Sequence, residues 1–101
     1  MSVKESAVEK ELRQRVQLMG GICTKVRAIG VRGFFDRLIV LPGGRVVFCE
    51  VKRPVGGRVS PHQMRYHKIY RGLGVEAIII RNSKDIDRLL SEGGQKQTGA
   101  V

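Results

Sequence analysis

Apolar residues near the start of the chain recur at helical spacing: Val3, Ala7, Val8, Leu12, Val16 and Met19. One buried stripe on a helix accounts for them. Ser2 and Glu5 stand at capping-box spacing before it, and Gly20-Gly21 supplies its end. Over residues 22–29 the pattern becomes alternation, with Ile22, Thr24, Val26 and Ala28 sharing one face of a strand. Gly30-Val31-Arg32-Gly33 breaks that strand.

A second strand is predicted over residues 35–41 and a third over 45–52, joined by the turn Pro42-Gly43-Gly44. Two apolar strands with so short a glycine-rich turn form an antiparallel hairpin. A loop covers residues 53–59. Ser60 then caps a helix with Pro61 at its first position. That helix carries Met64, His67, Ile69, Tyr70 and Leu73 and stops within 72–74. Residues 75–80 are almost continuously apolar, which predicts a central strand covered on both faces. Ser83 is the expected cap of a last helix through Leu90. The small, polar stretch 93–101 reads as a flexible tail. The order α-β-β-β-α-β-α predicts an α/β sandwich with a mixed sheet, as a single domain over residues 1–92 and a tail over 93–101.

Polar residues interrupt this apolar scaffold at one informative place. Glu50 and Lys52 project from the same face of the third strand, while Val47, Cys49 and Val51 point to the other. A strand built for packing alone does not normally carry Glu there. Folding the hairpin brings Asp36 to the same end as Glu50. Two carboxylates so close repel unless a cation or a proton lies between them, and their oxygens suit Mg²⁺ or Mn²⁺. Lys52 beside them can hold the attacking water or stabilise a phosphate in its transition state. Glu50–Lys52 taken alone reads equally well as a surface ion pair. The combination with Asp36, the charge and the following loop favours phosphodiester hydrolysis.

Charge points the same way. The 101 residues hold 19 Lys and Arg against 9 Asp and Glu, a net +10 with a pI of about 10.5. Such an excess favours a polyanion, with nucleic acid ahead of membrane. No apolar run approaches the ~20 residues of a membrane helix. The first residues lack the apolar stretch of a secretory leader. The expectation is the cytoplasm of a bacterium or phage-infected host. Cys23 and Cys49 sit in strand-like apolar segments as free thiols, and no Cys/His spacing suggests structural zinc.

Gly33-Phe34-Phe35-Asp36, a strand and glycine turn, then Glu50-Val51-Lys52 resemble the signature of the PD-(D/E)xK nucleases. The stretch 32–63, including Leu41-Pro42-Gly43-Gly44-Arg45-Val46-Val47-Phe48 and Lys52-Arg53-Pro54, resembles more narrowly the VRR-NUC domains. Those are stand-alone phage-type replication and repair nucleases, whose domain also occurs at the end of a eukaryotic DNA-repair nuclease. The resemblance spans about residues 5–81. It implies a restriction-endonuclease-like sandwich and a DNA nuclease dependent on Mg²⁺ or Mn²⁺, without an organic cofactor. It implies that Asp36, Glu50 and Val51 hold the metal.

The resemblance further implies a metal-reaching glutamate on the first helix. Glu9 is the better match, eleven residues before Gly20, and Glu5 the second choice. It also implies a catalytic glutamine on the helix after the third strand, matched by Gln63. The family's usual proline before the aspartate is Phe35 here. Likeness in fold to Holliday-junction resolvases implies a homodimer acting on branched DNA.

Arg27, Arg32, Arg53, Arg58 and Arg65 are the arginines expected to clamp DNA phosphates. His62 and His67 receive no role, and Tyr66 and Tyr70 are expected in the core or on the helix surface. The main alternative function is a catalytically silent nucleic-acid-binding module; a basic structural protein of a phage or ribosome is the other.

Overall fold

The alternation across residues 37–51 folds as the hairpin it predicts. In a computed structural model, which describes residues 4–91, β2 (Arg37–Leu41) pairs antiparallel with β3 (Arg45–Val51), with Leu41 opposite Arg45. Gly43 and Gly44 both take positive φ in the turn (91° and 86°), a region where a side chain would be strained. β1 (Ile22–Lys25) adds antiparallel to β2, and β4 (Glu76–Ile80) adds parallel to β3. The sheet order is therefore β1-β2-β3-β4.

Three helices cover this sheet. α1 (Glu5–Leu18) buries Val8, Leu12 and Val16. With Ile86 and Leu89 of α3 (Ser83–Ser91), they pack on Ile39, Leu41, Val47, Cys49, Val51 and Ile80. α2 (Pro61–Gly72) supplies the crossover that parallel β3 and β4 require. It lies on the other face, where Phe34, Phe35, Phe48, Tyr66 and Tyr70 meet in edge-to-face and tilted contacts at centroid separations of 5.1–6.1 Å. On β3, alternation sends Val47, Cys49 and Val51 to the α1/α3 side and Phe48 to the α2 side. The expected α/β sandwich and its element order are what the chain forms.

Four details differ from expectation. The first strand stops at Lys25 rather than running to residue 29. Val26 N–H still donates to Asp36 O (2.8 Å), but the preceding Phe35 is drawn into the aromatic cluster, so β2 offers no further partner. β4 is an edge strand and not central. Its continuous apolar run answers to α2 on one face and α3 on the other, so the expected double cover is present without a second neighbouring strand. The N-cap of α1 is Lys4, with no side-chain cap bond; the proposed partner Ser2 lies outside the described residues, as does the tail 93–101. Asn82, not Ser83, caps α3 by accepting the Asp85 N–H (3.0 Å).

The α2 cap is fuller than expected. Ser60 Oγ accepts the Gln63 N–H, and Gln63 Oε1 accepts the Ser60 N–H, a reciprocal capping box. Arg45, buried on the α3 side, holds Glu76 through two hydrogen bonds (2.7 and 2.8 Å) and donates to Leu89 O, tying β3, β4 and α3 together. Among the described residues no helix is long and apolar enough to cross a membrane.

Candidate active site

Asp36 stands one residue ahead of β2, yet its backbone is held on both sides. Its N–H donates to Cys49 O (2.9 Å), and its carbonyl accepts the Val26 N–H. Phe35, in place of the family's proline, is 2% exposed and packs on Phe34, Phe48, His67 and Tyr70. The ring anchors the start of the strand, so the Asp36 backbone is fixed without the proline. Asp36 Oδ2 then accepts the Val51 N–H (3.0 Å), which clamps the carboxylate to the end of β3.

Glu50 follows on β3, its side chain 1% exposed. Gln63 Nε2 donates to Glu50 Oε2, and Lys52 Nζ lies 3.6 Å from the same oxygen. Glu50 and Lys52 share a strand face, as alternation predicts. Among the described residues no donor reaches the other oxygen, Oε1, which is buried; when protonated, Glu50 can donate to the Asp36 carboxylate. Burial first, and the neighbouring Asp36 carboxylate second, push the Glu50 carboxyl up to about 8, against the opposing pull of Lys52. Without a cation, the group therefore favours its protonated form near neutral pH. Both thiols stay protonated: burial raises Cys23 and raises Cys49 further.

Carboxylate oxygens with one unsatisfied buried acceptor suit a hard divalent cation, which keeps several waters of its own. Asp36 and Glu50 form that pair. Val51 is buried and apolar, so it can contribute only its main-chain carbonyl. Glu9 is placed elsewhere: its Oε2 lies 3.4 Å from Arg37 Nη2, on the α1 side of β2. Among the described residues, no group of three or more His, Cys, Asp or Glu is arranged to hold a metal ion. Glu5, one turn before Glu9, lines a cleft with Lys52.

That cleft is basic. Lys4, Arg53 and Arg58 line it beside Lys52, with Gly56 and Gly57 at the bend of the loop. The bend is tight: Gly56 has φ 77°, and a Cβ on Gly57 would sit 2.7 Å from Arg53 O and 3.1 Å from Lys52 Cβ. Arg81, just past β4, pins the loop by donating to Gly57 O (2.6 Å) and Arg53 O (3.5 Å). Lys4, Gly57 and Arg81 escaped the sequence reading. Their sequence neighbourhoods carry no motif, and only the fold brings them to Lys52.

The remaining expected DNA contacts are dispersed. Arg27 and Arg32 are exposed on the loop between β1 and β2. Gly33 presses that loop onto α2, where a Cβ would meet His62 Cβ at 2.5 Å. Arg65 lines a separate groove along α2. Tyr66 and Tyr70 belong to the aromatic cluster. His67 is buried within it, and burial, then Arg71, lowers its pKa and keeps the ring neutral.

No family model matches the chain. The chain is 38% identical over 88 residues to "Putative nuclease p44" of Acyrthosiphon pisum secondary endosymbiont phage 1, spanning 87% of this chain and 92% of that protein. It is also similar to a solved structure described as a VRR_NUC domain, with a TM-score of 0.82 and 29% identity over 90% of this chain and 99% of that one.

Proposed function

The chain belongs to the VRR-NUC nucleases, and from that premise we propose that it hydrolyses DNA phosphodiester bonds with Mg²⁺ or Mn²⁺ held by Asp36, Glu50 and the Val51 carbonyl. The observation that carries this reading is the Asp36–Glu50 pair, with Glu50 Oε1 buried and, among the described residues, reached by no donor. When bound, the cation would lower the pKa of a coordinated water and neutralise charge on the scissile phosphate.

The chain's own residues supply the rest. Val51 N–H and Gln63 Nε2 each occupy one oxygen of a carboxylate and so orient the other. Gln63 acts on the reaction through Glu50, because both ends of its amide are engaged. Lys52, paired with Glu50 at 3.6 Å, borders the cleft, and in this reading it stabilises the charge that develops on the phosphate. Arg53, Arg58 and Lys4 hold the neighbouring phosphates in the cleft. Glu5 is the better placed of the two first-helix glutamates to meet the substrate side, while Glu9 steadies Arg37.

Action on branched DNA by a homodimer belongs to the same proposal and rests on family likeness. The test is cutting of a plasmid and of a synthetic four-way junction in Mg²⁺, Mn²⁺ or EDTA. Metal-dependent cutting that disappears in Glu50→Ala and Lys52→Ala is the expected result, with the junction preferred. Binding without cutting in either metal would replace the reading by the silent nucleic-acid-binding module. A monomer in sedimentation at micromolar concentration would remove the dimer.

A further inference from the structure

The groove between α2 and the β4 edge has a character unlike the basic cleft. Pro61, Met64 and Ile79 make its walls apolar, and Met64 is 54% exposed. Arg65, Lys68 and Arg71 rim it, and no acidic residue lines it. His67 also lines it. This imidazole is 2% exposed, and among the described residues no side chain hydrogen-bonds either ring nitrogen. The Ala77 carbonyl, which accepts Arg71 Nε at 2.7 Å, also lies beside the His67 ring and favours its charged form. Buried polar atoms without partners are uncommon and call for an explanation.

Its position supplies one. Ile79 is the register partner of Glu50 across β3 and β4. Register partners of a parallel pair share a face and lie about 5 Å apart. On α2, Gln63 touches Glu50 while Met64 and His67 turn into the groove. The groove therefore opens beside the strand pair that carries Glu50.

We propose that the groove takes an unpaired base of the substrate strand against Met64 and Ile79, with the flanking phosphates on Arg65 and Lys68. The proposal rests on the DNA-nuclease reading and names the substrate feature that the site selects. A base is a flat apolar body with hydrogen-bonding edges and an anionic backbone. The apolar walls match the first of these characters and the cationic rim the last. A base paired in a duplex keeps its faces stacked and cannot enter. The selected feature is thus an unpaired nucleotide beside the cut, such as a flap, gap or junction provides.

The test reads binding without cutting, with the full chain in EDTA at low salt. The probes are a single-stranded oligonucleotide carrying 2-aminopurine at several positions, and the same sequence fully paired. Expected is a rise in 2-aminopurine emission on binding the single strand, as the base leaves its neighbours, and no rise with the duplex. Met64→Asn keeps the net charge. It should abolish the rise and lower the ratio of single-strand to duplex affinity by about tenfold. Leu73→Asn, on an exposed residue outside the groove, should leave that ratio unchanged.

No rise with the wild-type chain overturns the proposal, as does an equal effect of Met64→Asn on both DNAs. Cutting in Mg²⁺ is scored separately on the same preparations. A chain that fails to cut but keeps the emission rise loses the nuclease reading and retains the base site.

Discussion

Gln63 holds Glu50 with one end of its amide and the start of α2 with the other. Its Nε2 donates to the Glu50 carboxylate, and its Oε1 accepts the Ser60 N–H at 2.9 Å. The same residue therefore serves helix stability and site geometry, and substitutions can separate the two. Gln63→Ala should cost about 1 kcal/mol in urea unfolding, the usual loss of a cap, and lower the cutting rate roughly 10–100-fold, as removal of a ligand's supporting partner does. Gln63→Glu preserves the acceptor for Ser60 but places a third carboxylate on Glu50. Stability should then fall less than in the alanine variant at low pH, while cutting stays impaired.

Glu50 makes the metal-free protein sensitive to alkali. Its carboxyl is raised in the folded state from 4.5 to about 8, so the folded chain binds that proton more tightly than the unfolded chain. The stabilisation is full below pH 4.5 and is lost as pH rises through 8. Unfolding free energy in EDTA should therefore fall progressively from about pH 4.5 to 8, by an amount on the order of a few kcal/mol. Glu50→Gln should flatten that slope. Protons and a cation compete for the same oxygens, so the Mg²⁺ concentration for half-maximal cutting should fall as pH rises from 6 to 8. A slope unchanged in Glu50→Gln would assign the titration to another group.

Arg81 sets the loop that carries the basic cleft. Its guanidinium reaches Gly57 O at 2.6 Å, and Gly57 in turn packs on Arg53 and Lys52. Arg81→Ala should raise KM for DNA several-fold, with a smaller change in kcat, and expose the loop to limited proteolysis. Gly57→Ala should reproduce the effect from the other side, because its Cβ would collide with the Arg53 carbonyl at 2.7 Å.

The cleft arginines should show themselves through salt. Arg53 and Arg58 line the cleft with Lys52, and each phosphate they neutralise releases condensed counterions. Single alanine variants should each reduce the slope of log affinity against log salt by about one. Arg27→Ala, on the loop across β1 and β2, serves as the comparison: an equal loss of slope would place that loop on the DNA path as well.

Much of the site was legible because it obeys period-two alternation over a short hairpin. Glu50 and Lys52 had to share a face. The glycine turn had to bring Asp36 to the end of the sheet that holds Glu50, and Ser60-Pro61 announced the start of a helix beside them. The length and place of strands were less legible. The apolar run of β4 looks the same whether its cover is two helices or two strands, and only packing shows that it lies at the edge.

By itself the sequence determined the element order, the Asp36–Glu50–Lys52 constellation and the strongly basic net charge, all of which follow from local periodicity and composition. The tertiary structure decided the rest. It sent Glu9 to Arg37, seated Phe35 where the family has proline, left Glu50 Oε1 buried with no donor among the described residues, and brought Lys4 and Arg81 to the loop beside Lys52. Those relationships join residues up to tens of positions apart. Their distances are set by how α1, the loops and the sheet pack together, which no local pattern encodes.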